Sequence, residues 1–208
     1  MLAAIAEPTL AVSSSVIVAG VVVLGVVIAA IAAISTYNRL VSLRVTCKES
    51  WADIDAELQR RHDLIPSLIS SVKGYVSHEN DLLENITELR SRAVSAKKDD
   101  PEKRAGVEEM LQGSVGTLIA TVEAYPDLQA NQNFLKLQKE LGETETRIAR
   151  ARRFYNSNVR DFRTKVMTFP QNVLAGMFGF QASDFEFFTA NAGDRLPVDV
   201  DAADLSRS

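Results

Sequence analysis

Residues 134–169 read FLKLQKELGETETRIARARRFYNSNVRDFRTKVMTF, and this stretch decides the fold. Phe134, Leu141, Ile148, Tyr155, Val159, Phe162, Val166 and Phe169 recur in steps built from threes and fours. That is the period at which an α-helix buries one face. Gln138, Glu145 and Arg152 interrupt the stripe where an apolar residue is due. A charged group turned toward a core must be paired or hydrogen-bonded, because an uncompensated one costs several kcal/mol.

The same period continues upstream. Leu40, Cys47, Trp51, Ile54 and Leu58 form one stripe. Leu68, Val72, Tyr75, Leu82, Ile86, Leu89 and Ala93 form a second, and Val107, Met110 or Leu111, Leu118, Val122 and Tyr125 a third. No segment alternates at period two, so strands are not expected. Pro66 disfavours helix at Ile65, which predicts a break near residues 61–66. Lys97-Lys98-Asp99-Asp100-Pro101 predicts a second break at 97–101, with an Asp before a Pro opening the next helix. Tyr125-Pro126-Asp127 predicts a third at 125–128, with Asp127 as a candidate cap for the fourth helix. Phe169-Pro170 closes that helix. Four helices with short connections pack antiparallel, so residues 35–169 are expected to form an all-α, up-and-down four-helix bundle with coiled-coil-like seams.

Before the bundle, Val16 to Ile34 read VIVAGVVVLGVVIAAIAAI, apolar on every face. As a helix this spans roughly 28 Å, close to the hydrocarbon thickness of a bilayer. A cleaved signal peptide has a positive n-region and a shorter apolar core, and residues 1–15 hold no Lys or Arg. The stretch is therefore expected to be a single transmembrane helix, preceded by a short N-terminal segment. Arg39, Arg44 and Lys48 follow it closely, and the Lys/Arg side stays cytoplasmic. The expected setting is a bacterial cell membrane, with the N-terminus outside and the bundle inside.

After the bundle, residues 170–188 carry Phe178, Phe180, Phe185, Phe187 and Phe188 but are too short to span. They read as a flap over the base of the bundle, as an interfacial segment, or as a contact to a neighbouring subunit. The dearth of Lys and Arg favours the flap. Residues 189–208 are polar and acidic and read as a flexible tail.

Composition excludes several functions. A net charge of −4 without a basic, aromatic-studded patch argues against nucleic acid. One cysteine, Cys47, permits no internal disulfide and suits a reducing compartment. Two histidines, His62 and His78, lack the Glu-x-x-His spacing of a di-iron bundle, and no cofactor or metal is expected. Adjacent carboxylates such as Asp53/Asp55 and Glu108/Glu109 point apart on a helix and make no acid–base pair. Residues 112–116, QGSVG, lack the spacing of a nucleophile elbow. No catalytic residue is expected. The run Arg60-Arg61-His62-Asp63 instead suggests a structural polar network of Arg61, Asp63, Glu145 and Arg152, fixing helix register.

Particular blocks go further. Tyr37-Asn38-Arg39-Leu40-Val41, Arg60-Arg61-His62-Asp63-Leu64-Ile65-Pro66, Val72-Lys73-Gly74-Tyr75 and His78-Glu79 resemble the LemA family. So do Glu145-Thr146-Arg147-Ile148-Ala149, Ala151-Arg152-Arg153-Phe154-Tyr155-Asn156, and Phe169-Pro170 through Phe178-Gly179-Phe180. The resemblance covers nearly all of residues 16–188. It implies an N-terminal membrane helix followed by an antiparallel four-helix bundle, and no enzymatic activity. It also implies relatives in magnetosome-membrane biogenesis and an association with membrane proteins carrying a TPM domain.

The expected function is a membrane-anchored, non-enzymatic scaffold that self-associates and organises membrane or membrane-protein partners. The alternative is an adaptor or stabilising subunit of a membrane enzyme or protease, such as a TPM-domain protein. Small residues Ala29 and Ala33, four apart, let spans approach one another. The Arg147, Arg150 and Arg153 stripe is expected to meet Asp53, Asp55 and Glu57 of an adjacent copy.

Overall fold

A computed structural model describes residues 14–76, 79–96 and 100–189. His78, Lys97 to Asp99, most of the N-terminal segment and nearly all of the acidic tail lie outside the described residues. Every element is helical, and no strand occurs among the described residues. The order is α1 (Ser14–Val72), α2 (Asn80–Ser95), α3 (Pro101–Val122), α4 (Pro126–Gln129), α5 (Gln132–Met167), α6 (Gln171–Met177) and a 3-10 turn, Ala182–Asp184.

The first expected break does not occur. α1 runs through Pro66 for 59 residues and ends at Val72. Proline has no N–H to give the carbonyl four residues back, here that of His62. Arg90 Nε of α2 donates to that carbonyl at 2.7 Å, so the bond lost along the helix is replaced from a neighbouring helix. Leu68 and Val72 therefore belong to α1, which ends just before Gly74.

The other two breaks fall where the punctuation places them, with one change of cap. Asp100 Oδ1 accepts from the Lys103 N–H at 3.1 Å, and Pro101 opens α3. α5 is capped by Asn131, whose Oδ1 accepts from the Asn133 and Phe134 N–H groups at 2.9 and 3.3 Å. Asp127 is spent in the one-turn α4, which has no side-chain cap bond.

α1 is the one described helix long and apolar enough to cross a membrane, and its Val16–Ile34 side chains are largely exposed. Beyond them it enters two separate hydrophobic cores. The core nearer the apolar end, here called proximal, gathers Leu40, Leu43, Cys47, Ile54 and Leu58 of α1. It adds Ile148, Tyr155, Val159, Phe162 and Val166 of α5, with Ala175, Phe180 and Phe188 from the C-terminal segment. The distal core gathers Ile65, Leu68 and Val72 of α1 with Ile86 and Leu89 of α2, Leu111 and Leu118 of α3, and Phe134 and Leu141 of α5. Helix length explains the division. α1 beyond Ile34 and α5 each extend on the order of 55 Å, whereas α2 reaches only about 24 Å and α3 about 33 Å. α2 contributes nothing to the proximal core and α3 only Ala105, so the C-terminal segment fills the space the short helices leave.

Candidate functional site

Between the two cores lies a layer of buried charge. Arg61 and His62 on α1 are each 1% exposed, and Glu108 on α3 is 4% exposed. Arg61 Nη2 donates to both the carboxylate and, at 3.3 Å, the backbone carbonyl of Glu108. Its Nη1 donates to Glu145 Oε1 of α5 at 2.9 Å. His62 Nε2 lies 3.0 Å from Glu108 Oε1, and beside an ionised carboxylate that nitrogen carries the proton. Burial pushes the Glu108 carboxyl up, but the His62 hydrogen bond and the Arg61 charge outweigh it and hold the pKa below the ordinary value. One turn earlier on α3, buried Arg104 donates to Asp55 Oδ1 at 2.6 Å and lies over the Trp51 ring at 5.6 Å.

The layer therefore ties α1 to α3 and α5 through side chains, while Arg90 ties α2 to the α1 backbone. Arg61, His62 and Glu108 are closed to solvent, whereas the Glu145 side chain is 28% exposed. Such a cluster joins three helices through paired charges.

Of the network read from the sequence, the structure brings together Arg61 and Glu145 only. Asp63 is exposed and accepts from Gln59 Nε2, one turn back, at 2.8 Å. It stands about 200° around the helix from Arg61 at 100° per residue, which turns it to solvent. Arg152 is seven residues from Glu145, about 10 Å along α5, and its guanidinium lies over the Phe188 ring at 5.3 Å. Gln138 is exposed, and buried Thr144 holds the seam instead.

His62, Arg104 and Glu108 escaped sequence reasoning. The signal was available: Arg104, Glu108, Leu111, Val115, Leu118 and Val122 advance by fours and threes along one face of α3. Glu108 sits where a core residue is due, and Glu109 beside it is exposed.

A second polar set clamps the C-terminal segment. Tyr155 Oη donates to the Glu186 carbonyl at 2.8 Å. Asn156 accepts from the Phe188 N–H at 2.9 Å and donates to its carbonyl at 3.3 Å. Arg163 Nε donates to the Ala182 carbonyl at 2.8 Å and stacks over Phe187, while Arg44 pairs with Asp184 at 2.7 Å. Phe180 and Phe188 are buried, and Phe185 and Phe187 pack against the proximal core. Phe178 is half exposed and meets Tyr37 edge-on at 4.9 Å. In the span, Ala29 is exposed and Ala33 half-buried.

Two of the three acidic residues on the Asp53, Asp55 and Glu57 face of α1 are engaged within the chain, while Asp53 is exposed. Asp55 is held by Arg104, and Glu57 pairs with Arg147 at 3.8 Å within the chain. The Arg60–Pro66 and Ala151–Asn156 blocks thus have structural work: one builds the charged layer, the other grips the C-terminal segment.

An all-helical domain continuous with one apolar helix, braced by internal ion pairs, defines a class of anchored helical protein. The LemA family model matches residues 50–201, and the chain belongs to this family. It is 31% identical over 160 residues to protein LemA of Metamycoplasma hominis, covering 73% of this chain and 67% of that protein. It is 25% identical over 182 residues to magnetosome protein MamQ 2 of Paramagnetospirillum magneticum. The match to magnetosome protein MamQ of Magnetospirillum gryphiswaldense is 23% over 182 residues. Both MamQ matches cover 76% of this chain and 66% of the relative, so the chain spans about two thirds of those proteins' length.

Proposed function

We propose that this protein is a single-pass membrane scaffold, non-enzymatic, that self-associates and holds membrane or membrane-protein partners at a fixed height above the bilayer. One observation carries the reading: α1 is a single helix from the apolar span through both cores, so the domain is joined to the span without a hinge. Helices α1, α2, α3 and α5 are read as an antiparallel up-and-down bundle. On that reading the proximal core lies next to the membrane and the end of α1 about 55 Å away. Arg39, Arg44 and Lys48 just after the span support a cytoplasmic bundle. Residues 35–169 are read as the bundle and 170–188 as its C-terminal wall. Ala29 and Ala33 supply a close-approach face between spans. Two relatives are named for the magnetosome, a cellular structure rather than a reaction, which supports an organising role.

The test is mass measurement on full-length protein extracted into lipid discs without detergent. A scaffold gives particles of several copies that lose mass when Ala29 and Ala33 become Leu. A monomer at every concentration contradicts self-association and favours the adaptor reading, in which a partner such as a TPM-domain protein is required.

A further inference from the structure

The C-terminal segment has two faces, and only one is used by the proximal core. Ala175 and Phe180 are turned inward, while Phe169, Met177 and Met167 are 77%, 75% and 68% exposed and Val173 more than half exposed. No charged residue occurs from Val166 to Ser183. The turn that follows the exposed residues is fixed on the core side. The Phe180 N–H donates to the Ala175 carbonyl at 2.9 Å, through Gly179 at a φ of 72° that favours glycine.

The position of this face identifies its occupant. Phe178 meets the Tyr37 ring at 4.9 Å. Tyr37 lies only three residues beyond Ile34, about 4.5 Å along the helix from the end of the apolar span. The patch thus begins within the headgroup layer of any bilayer that holds α1, where apolar groups insert about 5–10 Å. Arg39 and Lys165 line one shallow depression at the same end, together with Asp161. From these observations we infer that residues 167–178 are a membrane foot: Phe169, Val173, Met177 and Phe178 enter the interface beside α1 and set the tilt of the bundle. The contact is mainly apolar, with Arg39 and Lys165 at its rim. This rests on the reading that α1 spans the membrane.

The foot is tested on the full chain in phosphatidylcholine–phosphatidylglycerol vesicles, with nitroxide labels at single added cysteines. The variants are Phe169→Cys, Met177→Cys, Val22→Cys and Gln129→Cys. Cys47 stays in place, since it is buried and burial first, then Asp161, pushes its thiol up to about 11. Val22 reports the span. Gln129 reports the far end, where Asn131 reaches the Tyr75 hydroxyl. Labels at 169 and 177 are expected to show an oxygen-to-nickel-chelate accessibility ratio several-fold above that at 129, approaching that at 22. Water-like ratios at 169 and 177 with a lipid-like ratio at 22 overturn the foot and leave the anchor standing. Exclusion of both reagents at 169 and 177 means that protein covers the face and also overturns it. A water-like ratio at 22 removes the span reading and the foot with it.

Discussion

The distal and proximal cores share α1 and α5 but are closed differently. Four helices wall the distal core with aliphatic side chains from each. The proximal core has two long helices, and its third wall is an irregular segment holding two buried phenylalanines. That segment is fastened by polar contacts from Tyr155, Asn156, Arg163 and Arg44 rather than by helix packing alone. The difference teaches where each region draws its order. Ridge packing between regular helices spreads its contacts along several stripes, whereas an irregular wall depends on a few anchors.

The largest effect is therefore expected at the two buried phenylalanines of that wall. Truncating a well-buried Phe costs about 3–5 kcal/mol, so Phe180→Ala with Phe188→Ala is expected to lower the melting temperature more than any pair in the distal core. A Leu118→Ala and Leu68→Ala pair of equal or greater effect, in thermal melts followed by circular dichroism, would erase the contrast.

Next comes the layer between the cores. Glu108→Ala leaves Arg61 and His62 buried beside an empty site, a loss on the order of 3–5 kcal/mol. Glu145→Ala is expected to cost clearly less, because its side chain is 28% exposed and Arg61 keeps Glu108. Chemical denaturation of both variants decides the order, and a larger loss at Glu145 would mean that Glu108 is not the pivot.

A pH dependence accompanies this. The pKa of Glu108 is lower folded than unfolded, so its contribution is fully present above the ordinary carboxylate range. The contribution is lost as pH falls through the lowered folded value. The stability gap between native protein and Glu108→Gln is expected to close on acidification, and a gap that stays constant down to pH 3 refutes the assignment.

Much of this was legible in the sequence. Stripes of three and four gave the helices, and Asp100-Pro101 gave the start of α3. Three things were not. Pro66 reads as a break locally, and only Arg90, distant in sequence, makes the continuous helix affordable. Glu108 reads as one of two adjacent carboxylates that point apart until its phase with Leu111 and Val115 is followed. Arg152 has the spacing of a seam residue, but its long side chain reaches an aromatic ring in the C-terminal wall, which periodicity along one helix does not reveal.

The smallest effect is expected from the clamp. Tyr155→Phe removes only the hydroxyl bond to the Glu186 carbonyl, worth about 1 kcal/mol, and leaves the ring in place. It is expected to raise exchange of C-terminal amides without moving the distal core.

Hydrogen exchange by mass spectrometry on full-length protein and on a form ending at Phe169 tests the two-core claim most directly. The expected result is lost protection at residues 40–58 and 148–166, with protection kept at 65–72, 111–122 and 134–141. Loss spread evenly over all five stretches, or no loss at all, would contradict a proximal core closed by the C-terminal segment.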